Sequence, residues 1–278
     1  MAQDRGAETT QRDVGREDDE GETDTPSKLS LISWNIDGLD GEKQPERARG
    51  LCSCLTSYSA DVVLLQELVP PYCRFLKNRL STAYTFIEGG KEGYYTAMLL
   101  KKSRITLLDW KIIAFPTTRM ARNLLVAKVL FKGQKLCLMT SHLESGKPHA
   151  GERMRQLQLL LKKMTEVPDD VNILFGGDTN LRDAEVARVG LPICIRDVWE
   201  QLGEPEDCHY TWDTLTNTNK DVDFICRIRF DRLYLRQSAK DGIPQLKPDS
   251  MALLGLEKLE CKRYISDHWG IYCKFSTE

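Results

Sequence analysis

A chain of 278 residues with 41% hydrophobic content can bury one large core or two small ones and is too apolar to remain unfolded. No stretch approaches the roughly 18 uninterrupted apolar residues of a membrane span, the acidic start lacks the features of a secretory leader, and nine cysteines form no CxxC pair. A soluble intracellular protein is expected, with neither a disulfide scaffold nor a zinc knuckle. The net charge of −2 conceals an asymmetry, because residues 1–28 carry nine acidic and four basic side chains, which leaves +3 on the remainder. A mildly basic body is compatible with a polyanionic partner without demanding one.

Residues 1–28 almost lack large apolar side chains and close on Thr25, Pro26 and Ser27, so they read as a disordered acidic tail or linker ahead of a body at 29–278. The body opens with a β-prone run at 29–36 and a turn through Asp37, Gly38, Asp40 and Gly41. Pro45 can start a helix to Tyr58 that places Leu51, Cys52, Leu55 and Tyr58 on one face. A second apolar run at 60–67 stops at Pro70 and Pro71, which completes a β-α-β unit. A short helix at 72–80 follows, and after Gly89, Gly90 and Gly93 a strand at 94–100; glycines flanking Tyr94 and Tyr95 predict a mobile loop.

Next comes a hairpin, with strands at 123–131 and 135–142 around Lys132 and Gly133. The clearest helix spans 148–166, where Met154, Leu157, Leu161 and Met164 form the apolar stripe and Arg153, Arg155, Lys162 and Lys163 supply exposed charge. Pro168 ends it. A buried strand at 171–175 follows, and Gly176 and Gly177 are expected to turn the backbone out of the sheet and deliver Asp178 and Asn180 at its end. Residues 199–229 are irregular, 230–236 and 269–275 read as strands, and 251–259 reads as a short helix.

Strand-like runs thus end in Asn35, Glu67, His142 and the Asp178/Asn180 pair, and Asp267 with His268 precedes the last strand. Any one of these is an ordinary turn cap. Together they assemble an amide, several carboxylates and two imidazoles, the hard oxygen donors that Mg²⁺ accepts with histidines free to face phosphate oxygens. His149 and His209 stand outside these clusters. The chain has no GxGxxG or GxxxxGK[ST] string, which removes the commonest nucleotide-binding sheets.

Six short motifs in order, Trp34-Asn35, Leu65-Gln66-Glu67, Ser141-His142-Leu143, Gly177-Asp178-Thr179-Asn180, Arg229-Phe230-Asp231-Arg232 and Ser266-Asp267-His268, resemble the endonuclease/exonuclease/phosphatase family. The resemblance runs from about Leu29 to Phe275. It implies an α/β fold, the four-layered α/β/β/α sandwich of the deoxyribonuclease I type, and Mg²⁺ as cofactor with Mn²⁺ able to substitute. It also implies roles. Glu67 is the principal metal carboxylate, Asn35 the amide beside metal and phosphate, and Asp267 the carboxylate nearest the metal. Asp178 orients or deprotonates water, Asn180 holds phosphate or water, His268 and His142 contact the scissile phosphate, and Asp231 orients the His268 ring.

The longer strings ISWNIDGL from Ile32, TSHLES from Thr140, GDTNLRD from Gly177 and YTWD from Tyr210 resemble the branch of this family that removes tyrosine from DNA 5′ phosphates after topoisomerase II is trapped. That branch implies DNA with a 5′-tyrosyl end as substrate, a preference for a single-stranded 5′ overhang, and a topoisomerase II remnant peptide as second partner. It implies a monomeric nuclear enzyme with a cytoplasmic pool and no membrane association. Trp212 and Phe230 would stack on unpaired bases, Arg182 and Lys147 would meet phosphate, and Tyr94 would lie in a substrate-responsive segment. Lys147 is a departure, since the resemblance implies arginine there, as in mammalian relatives, and an ammonium loses the bidentate geometry. An abasic-site endonuclease, or another phosphodiesterase of the family, is the alternative.

Overall fold

The computed structural model describes residues 28–277; the predicted acidic tail, apart from Lys28, lies outside the described residues. In chain order the elements begin with β1 (Leu29–Asn35), α1 (Gln44–Tyr58), β2 (Val62–Leu68), α2 (Pro70–Leu80), β3 (Tyr84–Glu88) and β4 (Tyr95–Lys101). They continue with β5 (Ile105–Ala114), β6 (Asn123–Phe131), β7 (Gln134–His142), α3 (Ala150–Thr165), β8 (Asn172–Asp178) and α4 (Asp183–Val189). The remainder is β9 (Arg196–Asp197), α5 (Val198–Gln201), β10 (Trp212–Asp213), β11 (Arg227–Ile228), β12 (Asp231–Arg236), β13 (Leu246–Leu254) and β14 (Gly270–Thr277).

These strands form two six-stranded sheets, ordered β13-β14-β1-β2-β4-β3 and β5-β6-β7-β8-β12-β9, plus a ribbon of β10 and β11. Alternation along each strand decides which side chains face which layer. Leu29 and Leu31 of β1 and Val62 and Leu64 of β2 meet Leu125, Ala127, Leu138 and Leu174 of the second sheet. Ile32, Trp34, Val63 and Leu65 point the other way and pack on Leu51, Leu55 and Leu76 of α1 and α2. Beyond the second sheet, Leu157, Leu160, Leu161 and Met164 of α3 cover Met139, Ile173, Phe175 and Tyr234. The expected four-layered α/β/β/α sandwich is therefore the fold found, with each sheet buried on both faces.

Several local expectations change. The 251–259 stretch is not a helix: β13 pairs antiparallel with β14 and stops before Gly255, whose φ of 78° and position against the Trp34 ring suit only glycine. β13 is a sheet-edge strand with mostly exposed side chains, so it carries little of the alternation that marks buried strands. β5 escapes the sequence reading for the same reason, and β3, buried or half-buried throughout, escapes it because it is only five residues long. Pro70 and Pro71 do not merely end β2; they start α2, where a missing N–H costs nothing.

Arg153 is not exposed. Its side chain is fully buried, donating to Glu185 at 2.7 and 3.0 Å and to the carbonyls of Glu144 and Gly146, and so pins α3 to the segment leaving β7 and to α4.

Gly176 and Gly177 are required for a different reason than expected. Both lie inside β8, and neither adopts a positive φ. A Cβ on Gly177 would sit 2.2 Å from the Ser141 carbonyl oxygen, and one on Gly176 would sit 2.8 Å from Leu233 and Leu64 side-chain atoms. The glycines allow close packing, and the left-handed turn falls to Asn180, with φ 52°. Gly177→Ala is accordingly expected to cost about 1–3 kcal/mol or more, because the clash is with backbone rather than a movable side chain. Thermal or denaturant unfolding checks this; a variant as stable as the parent would refute the packing argument.

Candidate active site

Parallel pairing brings the polar strand ends together. β1 runs parallel to β2, and β7 runs parallel to β8 with His142 opposite Asp178. β12 is antiparallel to β8, so its first residue, Asp231, also lies opposite Asp178. The second sheet thus offers a row of His142, Asp178 and Asp231. The first sheet reaches it through Asn35, whose Nδ2 donates to Asp178 Oδ2 at 2.8 Å. Trp34 fixes the fifth member, His268: its Nε1 donates to the His268 carbonyl at 2.9 Å, and Gly270 allows the indole to lie close against the start of β14.

Asp178 is the hub. Its Oδ1 accepts the Asn180 N–H at 3.0 Å, and its Oδ2 lies 3.2 Å from His142 Nε2 and 3.7 Å from His268 Nε2. Burial pushes the carboxyl up, but the two imidazoles and Asn35 outweigh it and hold Asp178 well below the usual carboxylate range. The two histidines divide their roles. His142 Nδ1 lies 2.9 Å from Arg122 Nη1, and a guanidinium only donates, so Nδ1 accepts and the proton sits on Nε2 facing Asp178. Burial, with Arg122 adding to it, lowers the His142 pKa and keeps that ring neutral. His268 Nδ1 is 2.7 Å from Asp231 Oδ2; burial opposes its charge, yet Asp231 and Asp178 raise its pKa well above the ordinary value. One ring is a neutral donor and the other an imidazolium.

Beside this hub lies an acidic pocket. Glu67 adopts φ 57° at an irregularity in β2, where the register shifts between Leu65 and Leu68. Its carbonyl accepts the Gly38 N–H at 3.1 Å, and a Cβ on Gly38 would lie 2.0 Å from that oxygen, so only glycine fits. Non-glycine residues in this conformation are uncommon and collect at functional sites. Burial first, then the charges of Asp37 and Asp267, push Glu67 up to about 7, and burial with Asp267 pushes Asp37 up to about 6. Carboxylates that raise one another in this way form a donor set suited to a divalent cation. The ligand atoms of Asp178, Asp231 and His268 also lie within 4.8 Å of one another, a spacing that can hold a metal ion. Because His268 Nδ1 already bonds Asp231, the carboxylate pocket around Glu67 is the better fit for Mg²⁺, which prefers oxygen donors.

The family model of the endonuclease/exonuclease/phosphatase family matches residues 32–268, a span that contains the Asp178 hub and the Glu67 pocket. The chain belongs to this family. Tyrosyl-DNA phosphodiesterase 2 of Danio rerio is 59% identical over 252 residues, covering 90% of this chain and 68% of that protein. The Homo sapiens protein of the same name is 55% identical over 248 residues, covering 89% and 68%. The crystal structure of the Danio rerio protein complexed with a single-stranded DNA product superposes with a TM-score of 0.88 at 59% identity, covering 90% of this chain and all of that one.

The other residues expected from the family resemblance are placed unequally. Trp212 and Phe230 lie together, ring centroids 5.7 Å apart, with Phe230 buried and 6.4 Å from the His268 ring, and Trp212 half-buried with Nε1 3.3 Å from Asp267 Oδ2. Arg182 lies over the Phe230 ring at 5.4 Å. Tyr94 packs edge-on to His142 and beneath the Arg122 guanidinium. Lys147 is exposed in the turn before α3 and touches none of the residues of the hub. Asn35 does more than sit beside a metal: its Oδ1 accepts the Asp37 N–H at 2.9 Å while its Nδ2 holds Asp178. His209 stacks between Trp199 and Tyr210.

Three residues at the family site were missed. Arg122 fixes the His142 tautomer; Asp37 joins the acidic pocket; Lys220 places its ammonium 2.7 Å from Asp37. Only Asp37 carried a signal, as a polar residue two positions beyond a strand end.

Proposed function

We propose that this chain is a Mg²⁺-dependent 5′-tyrosyl-DNA phosphodiesterase that frees DNA ends from topoisomerase II remnant peptides and leaves a 5′ phosphate. The observation that carries the reading is the ionised Asp178 held between a neutral His142 and a charged His268, in a chain 59% identical to a tyrosyl-DNA phosphodiesterase 2. Residues 29–278 act as the catalytic unit. The enzyme works as a monomer in the nucleus, with a cytoplasmic pool.

In this reading Glu67 and Asp267 supply carboxylates to Mg²⁺ or Mn²⁺, with Asn35 beside them; the bound ion would neutralise charge on the phosphoryl oxygens. Asp178, held ionised by three donors and with acceptor capacity to spare, orients the attacking water in line with the phosphorus–oxygen bond. Asn180 steadies the turn that presents it. His268, an imidazolium aligned by Asp231, donates to a phosphoryl oxygen as negative charge grows there, and His142, whose one N–H faces Asp178, holds that carboxylate in place beside the phosphate. The water oxygen bonds phosphorus as the bond to tyrosine breaks; the bonding electron pair leaves with the phenolate, and the proton lost by the water passes by way of Asp178 to solvent, from which the phenolate is protonated. With a phenol pKa of about 10 the leaving group needs no strong general acid. Trp212 and Phe230 offer a stacking wall for an unpaired 5′ strand, and Arg182 and Lys147 add positive charge along its path.

The test is a paired assay on oligonucleotides bearing tyrosine on a 5′ or a 3′ phosphate, each as an overhang and as a blunt duplex. The 5′ overhang is expected to be cleaved fastest, and Trp212→Ala to reduce overhang preference before it affects a small aryl phosphodiester. Equal or faster 3′ cleavage would overturn the polarity. Efficient incision of an abasic duplex without tyrosine release would favour the abasic-site alternative.

A further inference from the structure

The segment between β10 and β11 is anchored at several points. Asn217 Nδ2 donates to the Ser266 carbonyl at 2.9 Å and its Oδ1 accepts the Asn219 N–H, while Asn219 bonds both the N–H and the carbonyl of Tyr264. Both asparagines are buried. These anchors bring the next residue, Lys220, to the acidic pocket, where its Nζ lies 2.7 Å from Asp37 Oδ2 and 3.4 Å from Asp40 Oδ2.

The two carboxylates differ in how much they need it. Asp40 already has a partner in Arg263 Nη2 at 2.6 Å. For Asp37, Lys220 is the one cation within ion-pair distance among the described residues, and Asp37 shares its surroundings with Glu67 and Asp267. The Lys220 side chain keeps 34% of its surface exposed, on a flexible stem that can leave one anion for another. A cation bound among these carboxylates would remove the excess negative charge that retains the ammonium. The phosphate that such a cation binds would bring a second anion within reach.

We propose that Lys220 is a phosphate-binding side chain for the DNA strand, stored on Asp37 and Asp40 in the metal-free protein and transferred to a DNA phosphate when a divalent cation occupies the neighbouring pocket. This rests on reading the Glu67 pocket as the cation site. It makes cation and DNA binding mutually reinforcing, because each ligand removes an obstacle to the other.

The experiment measures binding of a 5′-phosphorylated single-stranded oligonucleotide, the reaction product, by fluorescence anisotropy across a salt series. The parent protein, Lys220→Met and Lys220→Arg are each assayed in fixed Mg²⁺ and in EDTA. Each phosphate neutralised on a single strand contributes about 0.7 to the slope of log affinity against log salt. In Mg²⁺ the slope for Lys220→Met is expected to be shallower by about that amount, with Lys220→Arg restoring it; in EDTA the three proteins are expected to coincide. Equal slopes in Mg²⁺, or the same difference in EDTA, overturn the transfer. Calorimetric titration with Mg²⁺ alone separates the two claims. A parent protein that binds no Mg²⁺ defeats the cation reading, whereas Mg²⁺ binding with equal slopes defeats only the assignment of Lys220. Thermal melts verify that the variants are folded, which the Asn217 and Asn219 anchors predict.

Discussion

Exchanging Asp178 for asparagine should lower turnover by at least about 100-fold while the protein stays folded. The side chain keeps its shape but loses its charge and half its capacity to accept. The present carboxylate takes donors from Asn35, Asn180 and His142, so a carboxamide leaves at least one donor facing another donor. The effect extends to His268, whose imidazolium is sustained by Asp231 and Asp178. Removing an anion lowers that pKa, so the fall in activity with rising pH should begin at a lower pH in Asp178→Asn than in the parent. His268→Ala should lose a similar factor by another route, since the donor itself disappears. The His268 backbone still holds the Trp34 indole and accepts no new burden, and its N–H still donates to Ser266 Oγ. A small aryl phosphodiester, hydrolysed at several pH values, gives the rates, and circular dichroism gives the fold. Near-normal turnover in either folded variant would remove that residue from the chemistry.

Chelation should abolish turnover altogether, with Mg²⁺ or Mn²⁺ restoring it, and Glu67→Ala should weaken cation binding by at least about tenfold. The reason lies in the charge balance of the pocket. Glu67, pushed up to about 7, is partly protonated at neutral pH when alone, and a cation binds only the ionised form. Cation affinity should therefore fall as pH falls, by about tenfold between pH 8 and pH 6 for this one group, and binding should release a proton. Asp37, at about 6, steepens the loss at the acidic end. Calorimetry in two buffers of different ionisation heat measures both quantities without recourse to turnover. Full activity in EDTA would refute the cation requirement, and pH-independent binding would refute the assignment of Glu67.

What the sequence disclosed follows from how each signal is written. A polar residue ending an apolar run is a local feature, and Asn35, Glu67, His142 and Asp178 could be read one at a time before β-sheet pairing joined them. The helical stripe of α3 was equally local. Arg153 was misjudged because an arginine facing a carboxylate 32 positions away looks, in one dimension, like an arginine facing water. Lys220 stayed hidden for the same reason, its two carboxylate partners lying at positions 37 and 40 near the opposite end of the chain. Gly176 and Gly177 were correctly marked as special but given the wrong cause, since sequence does not separate a glycine needed for its φ from one needed for its missing Cβ. The edge strands β5 and β13 had too little burial to leave a pattern, and β3 too few residues.

The placement of β14 bears on how the molecule comes into being. This last strand lies between β13 and β1, pairing Leu29 with Phe275 on one side and Leu246 with Thr277 on the other. During synthesis, then, β1 waits for β14. Until β14 leaves the ribosome, β1 lacks its antiparallel neighbour, β13 is unpaired, and His268 has not been fixed against the Trp34 indole. A nascent chain can finish its second sheet, whose strands all precede residue 237, while the first remains a template for pairing with other chains. A chain that stops before β14 would leave both β1 and β13 with open edges and be prone to association, so an ordered first sheet depends on translation having passed β14.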